Sequence, residues 1–413
     1  MGRKRTGVLV AVAVLAAAVL VPVALGGSGA HKATVYKFGL IVPEQAPYFD
    51  DTQSIGAANA AIRAINARGG FNGVKAQLDF CNEKNDPNVA SACARQMVQD
   101  GVVAVVGGVM LSGAVVQPIL AAAGIPQIGI YPVSSQEYNG SNVFLLGGQG
   151  AFDWQVATAY AAHQGVKLSF VGNDNTSSQI NKPILDAVAS QASGGTGFVN
   201  TVLLPASVAD YSPLVASASQ NGATGALVFL GPDTNGEQFQ LAAEKAHAPF
   251  KMYVRVGSDI PLAQALGAAA TKMVDAGPFP MVAGKSLAKN AWLNRFLKEL
   301  LVDYRAGDKF ATAATQRTSS IGTWLGYQVI EELAKKQPSG KLTAASLMNA
   351  LNHAKNIDVG GVIPPWTPTL PGPTGYSRVS NPYMYVTGYN SKDIPILLVP
   401  KAITVQQAET GKY

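Results

Sequence analysis

Two cysteines and four histidines in 413 residues leave little material for metal chemistry. His31, His163, His247 and His353 stand far apart and match no ligand spacing with Cys81 or Cys93, so no metal site is expected. Charge is sparse: only 14% of residues are Asp, Glu, Lys or Arg, and Arg3, Lys4 and Arg5 supply half of the formal net charge of +6. The remaining sequence holds no basic block or stripe, which argues against a nucleic-acid partner. The patterns G-x-S-x-G, H-E-x-x-H and G-x-x-x-x-G-K-[ST] are missing, and with them the usual signs of hydrolases, zinc proteases and P-loop enzymes. Neither enzymatic activity nor a cofactor is expected. Beyond the N-terminus, apolar runs are too short for a polytopic membrane protein.

What is present points to a large globular protein. A hydrophobic content of 48% is too high for disorder, and 43 glycines with 24 prolines fit many short turns. The length suggests two or three domains. At the N-terminus, basic MGRKRTG precedes an apolar run, Val8–Leu25, interrupted only by Pro22, and then small, polar GGSGAHKA. This is an export signal with a cut expected after Ala30, where Ser28 and Ala30 occupy the small-residue positions. The run is also barely long enough to span a bilayer, so retention as an N-terminal anchor stays open. Either way the protein is expected outside the cytoplasm, periplasmic or at the cell surface. No cysteine near the cut offers a lipid attachment point.

Export favours oxidised cysteines. Between Cys81 and Cys93, Asp86-Pro87 reads as a helix cap followed by proline at the first helical position. Cys81 then ends a strand and Cys93 lies on the next helix, within turning distance. A disulfide is expected, worth about 3 kcal/mol in the chain-entropy account. Two free buried thiols are the alternative.

Strand-like and helical stretches alternate from Val35 onwards. Strands are expected at 35–42, 74–80, 102–106 and 126–130, with helices at 54–68, 87–100 and 113–123 between and after them. Pro118 inside the third helix predicts a later start or a kink. The rhythm repeats to about residue 256 and implies two doubly wound α/β lobes with parallel sheets. Two long helices, near 286–304 and 313–336, and a shorter one at 343–353 follow. The tail is rich in Pro, Gly and Tyr. Its segment GGVIPPWTPTLPGPTGY reads as a structural connection, or as a peptide ligand for another domain.

Three blocks carry a resemblance: GAANAAIRAINARGGFNGVKAQL, NDPNVASACARQMVQDGVVAVVGG and LSGAVVQPILAAAGIPQIG. Together they resemble the solute-binding proteins of branched-chain-amino-acid-type ABC importers, closely over residues 39–150 and more loosely to 277. The resemblance implies a type I periplasmic-binding-protein fold with a ligand cleft between lobes. It also implies a chain that crosses repeatedly: 34–150 in lobe one, 151–277 in lobe two, 278–355 back in lobe one, and 356–413 returning to lobe two.

In an open parallel sheet, ligands bind beyond the carboxyl ends of the strands. Gly107 and Gly108 let the chain turn sharply there. Ser112 and Gly113 follow at a helix start, where unpaired N–H groups and a hydroxyl make an anion cradle. In the family this segment holds the ligand's carboxylate. Ser112 is therefore the leading candidate, and capping its helix is compatible with that role. Ser134 aligns with the family's hydroxyl position in the next loop, where Tyr131 either lines the cleft or packs beneath it. Tyr48, beside Phe49, would narrow the cleft and suit a flat ligand, unless its loop is merely an exposed clamp. In lobe two the family's tyrosine is missing, and Asp174 and Thr176 stand in that loop instead. Asp233 and Asp259 are candidate counter-charges to an ammonium group, though Asp259 could equally cap a helix.

The expected function is capture of a small anionic or zwitterionic solute (an amino acid, amide or aromatic acid) and delivery to ABC permease subunits by a monomer. A membrane-anchored ligand sensor of the same fold is the alternative.

Overall fold

Tyr36–Val42 (β1) reads YKFGLIV and is buried at every position except half-buried Lys37. Such a strand needs cover on both faces, which a parallel sheet between helices provides. It pairs in parallel with Ala76–Asn82 (β2) and Val105–Val106 (β3). Gln127–Ile128 (β4) and Val143–Phe144 (β5) complete a sheet of order β2-β1-β3-β4-β5. Its connections are Thr52–Ala67 (α1), Pro87–Asp100 (α2), Gly113–Ala122 (α3) and Ser135–Asn139 (α4). Asp86 caps α2 as its sequence suggests, accepting from the amides of Asn88 and Val89. The helix α3 runs through Pro118 rather than starting after it. A disulfide joins Cys81 in β2 to Cys93 in α2. The computed structural model describes residue 2 and residues 35–46, 49–205, 207–231, 233–280, 290–337 and 342–413. Apart from Gly2, the expected export segment lies outside these residues.

Ala151–His163 (α5) leads into a second sheet that repeats the same order. Leu168–Asn173 (β6) pairs in parallel with Asn200–Leu204 (β7) and Gly225–Phe229 (β8), and Met252–Val254 (β9) and Met273–Gly277 (β10) follow. Thr176–Ser193 (α6), Ser212–Ala218 (α7), Asp233–Lys245 (α8) and Ile260–Leu266 (α9) connect them. Position for position, β6 corresponds to β1 and α6 to α1. The molecule is an α/β protein of two doubly wound lobes, and residues 35–413 form one compact unit. No described helix is long and apolar enough to cross a membrane.

Ala291–Arg305 (α10), Thr318–Lys335 (α11) and Ala344–His353 (α12) pack on the first core. Phe296, Trp324, Tyr327 and Leu347 join Phe38, Leu40 and Phe71 there. Ile357, Val359, Val362, Ile363 and Trp366 belong to the same core. The tail therefore turns to the second core after Trp366 and not at Asn356, because Trp366 is sealed in the first core at 1% exposure. Val379, Met384 and Val386 then lie in the second core. Tyr385–Tyr389 (β11) extends the second sheet antiparallel to β10, Pro395–Leu397 (β12) follows antiparallel to β11, and Val405–Thr410 (α13) ends the fold.

The glycine pair after β3 has a packing reason. Gly107 and Gly108 have φ of 75° and 81°, and a Cβ on Gly107 would lie 1.9 Å from Thr323 Oγ1 on α11. Thr323 Oγ1 instead accepts the Gly108 amide at 3.0 Å. The pair lets α11 approach the end of β3.

Candidate functional site

The carboxyl ends of both sheets open onto one cavity of about 230 Å³. From the first lobe come Phe49 and Gln53, before and within α1, Val109 and Leu111 after β3, and Tyr131 and Val133 after β4. The second lobe contributes Trp154 on α5, Asn173 at the end of β6 and Asn175 after it, Ser177 and Ser178 on α6, Phe229 at the end of β8 with Leu230 and Gly231 after it, and Val256 and Gly257 after β9. Arg317, Thr318 and Ser319 close it from the start of α11. Phe49, Tyr131, Trp154 and Phe229 give it an aromatic character. Trp154 and Phe229 meet at a ring-centroid distance of 4.7 Å and an interplanar angle of 60°, a favourable tilted contact.

Arg317 is the only charged side chain among the described lining residues. Its Nε and Nη2 donate to Asp259 Oδ2 at 3.1 and 2.9 Å. Asp259 is the N-cap of α9 and accepts the Leu262 amide at 2.9 Å through its other oxygen. The ion pair joins α11, packed on the first core, to the helix that follows β9 in the second lobe.

Carboxylates stand behind the cavity wall. Asp51 precedes α1 and is fully buried. It accepts from Gln53 Nε2 at 2.8 Å, the Val109 amide at 2.9 Å and Ser319 Oγ at 2.8 Å. Burial pushes its carboxyl up to about 6, against the pull of these hydrogen bonds. Asp275 on β10 accepts from the amide and hydroxyl of Ser258, and burial pushes it up to about 6. Burial also raises Asp153, which accepts the Gly150 amide at 3.1 Å. It raises the Tyr131 hydroxyl further, with the Asp153 carboxyl beside it.

The profile of the periplasmic binding protein family matches residues 35–390. The chain belongs to that family. No curated protein matches it. A substrate-binding periplasmic protein from Ralstonia solanacearum is 17% identical with a TM-score of 0.70, over 88% of this chain and 99% of that one. The branched-chain amino acid substrate-binding protein LivJ of Streptococcus pneumoniae, solved with isoleucine, is 16% identical with a TM-score of 0.68, over 90% and 99%. A solute-binding protein of an ABC transporter from Rhodopseudomonas palustris BisB5, solved with 3,4-dihydroxybenzoic acid, is 18% identical with a TM-score of 0.67, over 90% and 98%. At these identities the likeness is one of fold.

Within this periplasmic binding protein, the residues expected at the site divide sharply. Tyr131 lines the cavity. Ser112 does not: it is 7% exposed and lies beside Glu83, whose fully buried carboxyl is pushed up by burial while the Ser112 hydroxyl works against that rise. Gly113 is pressed against Glu137, where a Cβ would lie 2.2 Å from the carboxyl group. Glu137 accepts from the Val133 and Ser134 amides at 3.0 Å and from Ser134 Oγ at 2.8 Å. Burial pushes Glu137 up to about 7. Ser134 is thus committed to capping α4. The start of α3 faces the protein's own carboxyl groups, which excludes the anion cradle expected there.

In the second lobe Asp174 and Thr176 are exposed and lie off the cavity. Asp259 reaches it only through Arg317. Tyr48 and the side chain of Asp233 fall outside the described residues. Sequence reasoning missed Arg317, Trp154, Asn173, Asn175, Ser177 and Ser178. The loops after β3, β4 and β6 do line the cavity, mostly through neighbours of the residues expected there.

Proposed function

We propose that the protein is the extracytoplasmic solute-binding component of an ABC uptake system and captures a small organic anion with an apolar or aromatic body. The lining set carries this reading: four aromatic side chains and a single charged one, Arg317, with no carboxylate among the described residues. An α-amino acid would bring an ammonium group that needs an acceptor of negative charge, and Asp259 is already held by Arg317 and the Leu262 amide. A carboxylate instead finds a guanidinium in a poorly solvated cleft, where charge-assisted hydrogen bonds are strong. The cavity is below the ~300–1,000 Å³ typical of drug-sized ligands, which suits a solute of about a benzoate's size. The Rhodopseudomonas protein solved with 3,4-dihydroxybenzoic acid shares the fold and adds weight to aromatic acids.

The two lobes close on the solute as bodies, and a membrane permease reads the closed form. The solute is carried unchanged. A leader spanning residues 1–30 directs export. Thermal-shift and titration calorimetry with benzoate, hydroxybenzoates and leucine test the reading. A ligand at 100 times its Kd stabilises the folded protein by about 2.7 kcal/mol. Benzoates should raise the melting temperature and leucine should not; the reverse result sinks the proposal.

A further inference from the structure

The second-lobe wall of the cleft presents donors. Asn173 Oδ1 accepts the Gly231 amide at 2.8 Å, and Asn175 Oδ1 accepts the Ser178 amide at 3.0 Å. Both side-chain oxygens are thereby spent on backbone donors. Flipping either amide would set N–H against N–H. What remains of each asparagine is its NH₂ group, and both residues line the cavity. They stand at the start of α6, an 18-residue helix. Its first amides, those of Thr176 and Ser177, have no acceptor within the helix, and its N-terminal end carries partial positive charge.

Ser178 supplies an independent observation. It lines the cavity, is 1% exposed, and its Oγ has no hydrogen-bond partner. Leaving a buried hydroxyl unpaired is unfavourable, and among donor groups it can be satisfied by donating to an acceptor on the solute. Asp174, the one carboxylate in this loop, is exposed and off the cavity.

We infer that the start of α6 is a second oxyanion subsite, and that the solute carries a carboxylate at each of two ends of an apolar body. The inference rests on reading the cleft as an organic-anion site and names the class of anion. Arg317, on the helix packed against the first core, and the α6 donors, on the second lobe, are separate donor sets. A single carboxylate held by Arg317, which is already paired with Asp259, leaves the α6 donors without an acceptor. A diacid satisfies both and ties the lobes together.

Calorimetry on the full chain decides the matter. The probes are benzoate, terephthalate, the zwitterion 4-(aminomethyl)benzoate, and straight-chain diacids of four to eight carbons with their monoacid counterparts, which cover a range of end-to-end lengths. At least one diacid should bind tenfold or more tighter than its monoacid, and the zwitterion should bind more weakly than benzoate. Asn175→Asp keeps an oxygen to cap α6 and places negative charge at the subsite. It should weaken the preferred diacid at least tenfold more than it weakens benzoate. Ser178→Ala should weaken the diacid by a larger factor than it weakens benzoate. If benzoate binds but no diacid gains over its monoacid, or the zwitterion binds tightest, the second subsite is overturned while the organic-anion reading stands. If none of these acids binds, both are overturned.

Discussion

The helices α1 and α6 follow equivalent central strands, β1 and β6, yet they begin in opposite chemistry. Before α1 stands Asp51, a buried acid that reaches across to Val109, Ser319 and Gln53 and makes no side-chain cap of its own helix. Before α6 stands Asn175, a conventional cap that also lines the cavity. The start of α3 repeats the first lobe's theme, with Glu83 and Glu137 packed around it. One architecture placed twice thus yields one wall tied inward by carboxylates and another that offers donors. Strand order fixes where a site can be. Single residues at the strand exits decide what it holds.

The largest expected effect separates the lobes by stability. Both cysteines lie in the first lobe, and the described chain has no free cysteine. The sequence separation of 12 residues gives a stabilisation of about 3 kcal/mol in the chain-entropy account. Reduction, or Cys81→Ser with Cys93→Ser, should lower the denaturant midpoint by that equivalent. Hydrogen exchange should quicken in β1 and β2 while β6 and β8 keep their protection. Equal acceleration in both sheets would show that the lobes unfold as one.

Next comes the ion pair across the cleft. Arg317→Met with Asp259→Asn removes both charges together and avoids stranding a buried carboxylate. Benzoate affinity should fall about a hundredfold, roughly 2.7 kcal/mol, within the range for losing a buried charged hydrogen bond. Circular dichroism should confirm a folded chain. Affinity within threefold of the wild type would remove Arg317 from the site.

A smaller effect concerns pH. The folded values of about 6 for Asp51 and about 7 for Glu137 lie above the ordinary 3.8 and 4.5. Between those limits the folded state binds more protons than the unfolded state. Stability therefore falls as pH rises from about 4 to about 7. Together the two shifts give roughly 2–3 kcal/mol more stability at pH 5.5 than at pH 7.5, so the melting temperature should be several degrees higher at the lower pH. Glu137→Gln should flatten part of that difference, and an unchanged slope would show that Glu137 does not supply it.

Much of the fold was legible because buried parallel strands and capped helices leave plain patterns: YKFGLIV for β1, Asp86-Pro87 for α2, a glycine pair after β3. The site was legible only to the level of the loop, and the reason is alternation. Side chains on extended backbone point to opposite sides in turn. The cavity takes Val109 and Leu111, Tyr131 and Val133, Asn173 and Asn175. Ser134 sits on extended backbone one place past Val133 and so falls off that register, and Asp174 lies between the two asparagines; Ser112 sits in the turn that opens α3 and Thr176 is already helical, so there the change from strand to helix sets the direction. Chemistry was weighed there without the pleat. Arg317 had no such signal, since it enters from the return of the chain and lies far in sequence from the strand exits. The proline-rich stretch that contains Trp366 concealed a core residue, because composition does not show which of its side chains is buried.

The smallest expected effect tests that register directly. Ser112→Ala and Ser178→Ala remove the same hydroxyl at the start of the helices that follow β3 and β6. Ser112 faces Glu83, so its loss should change stability, by freeing the carboxyl from a neighbour that favours its charged form, and leave benzoate and diacid affinity within about twofold. The hydroxyl of Ser178 has no protein partner, so its loss should spare stability and weaken whichever solute reaches α6. Paired calorimetry and melting on the two variants would show this crossed pattern. If instead Ser112→Ala weakened binding and left the melting temperature alone, the first-lobe wall would have been assigned the wrong face, and the contrast between the two helix starts would fail with it.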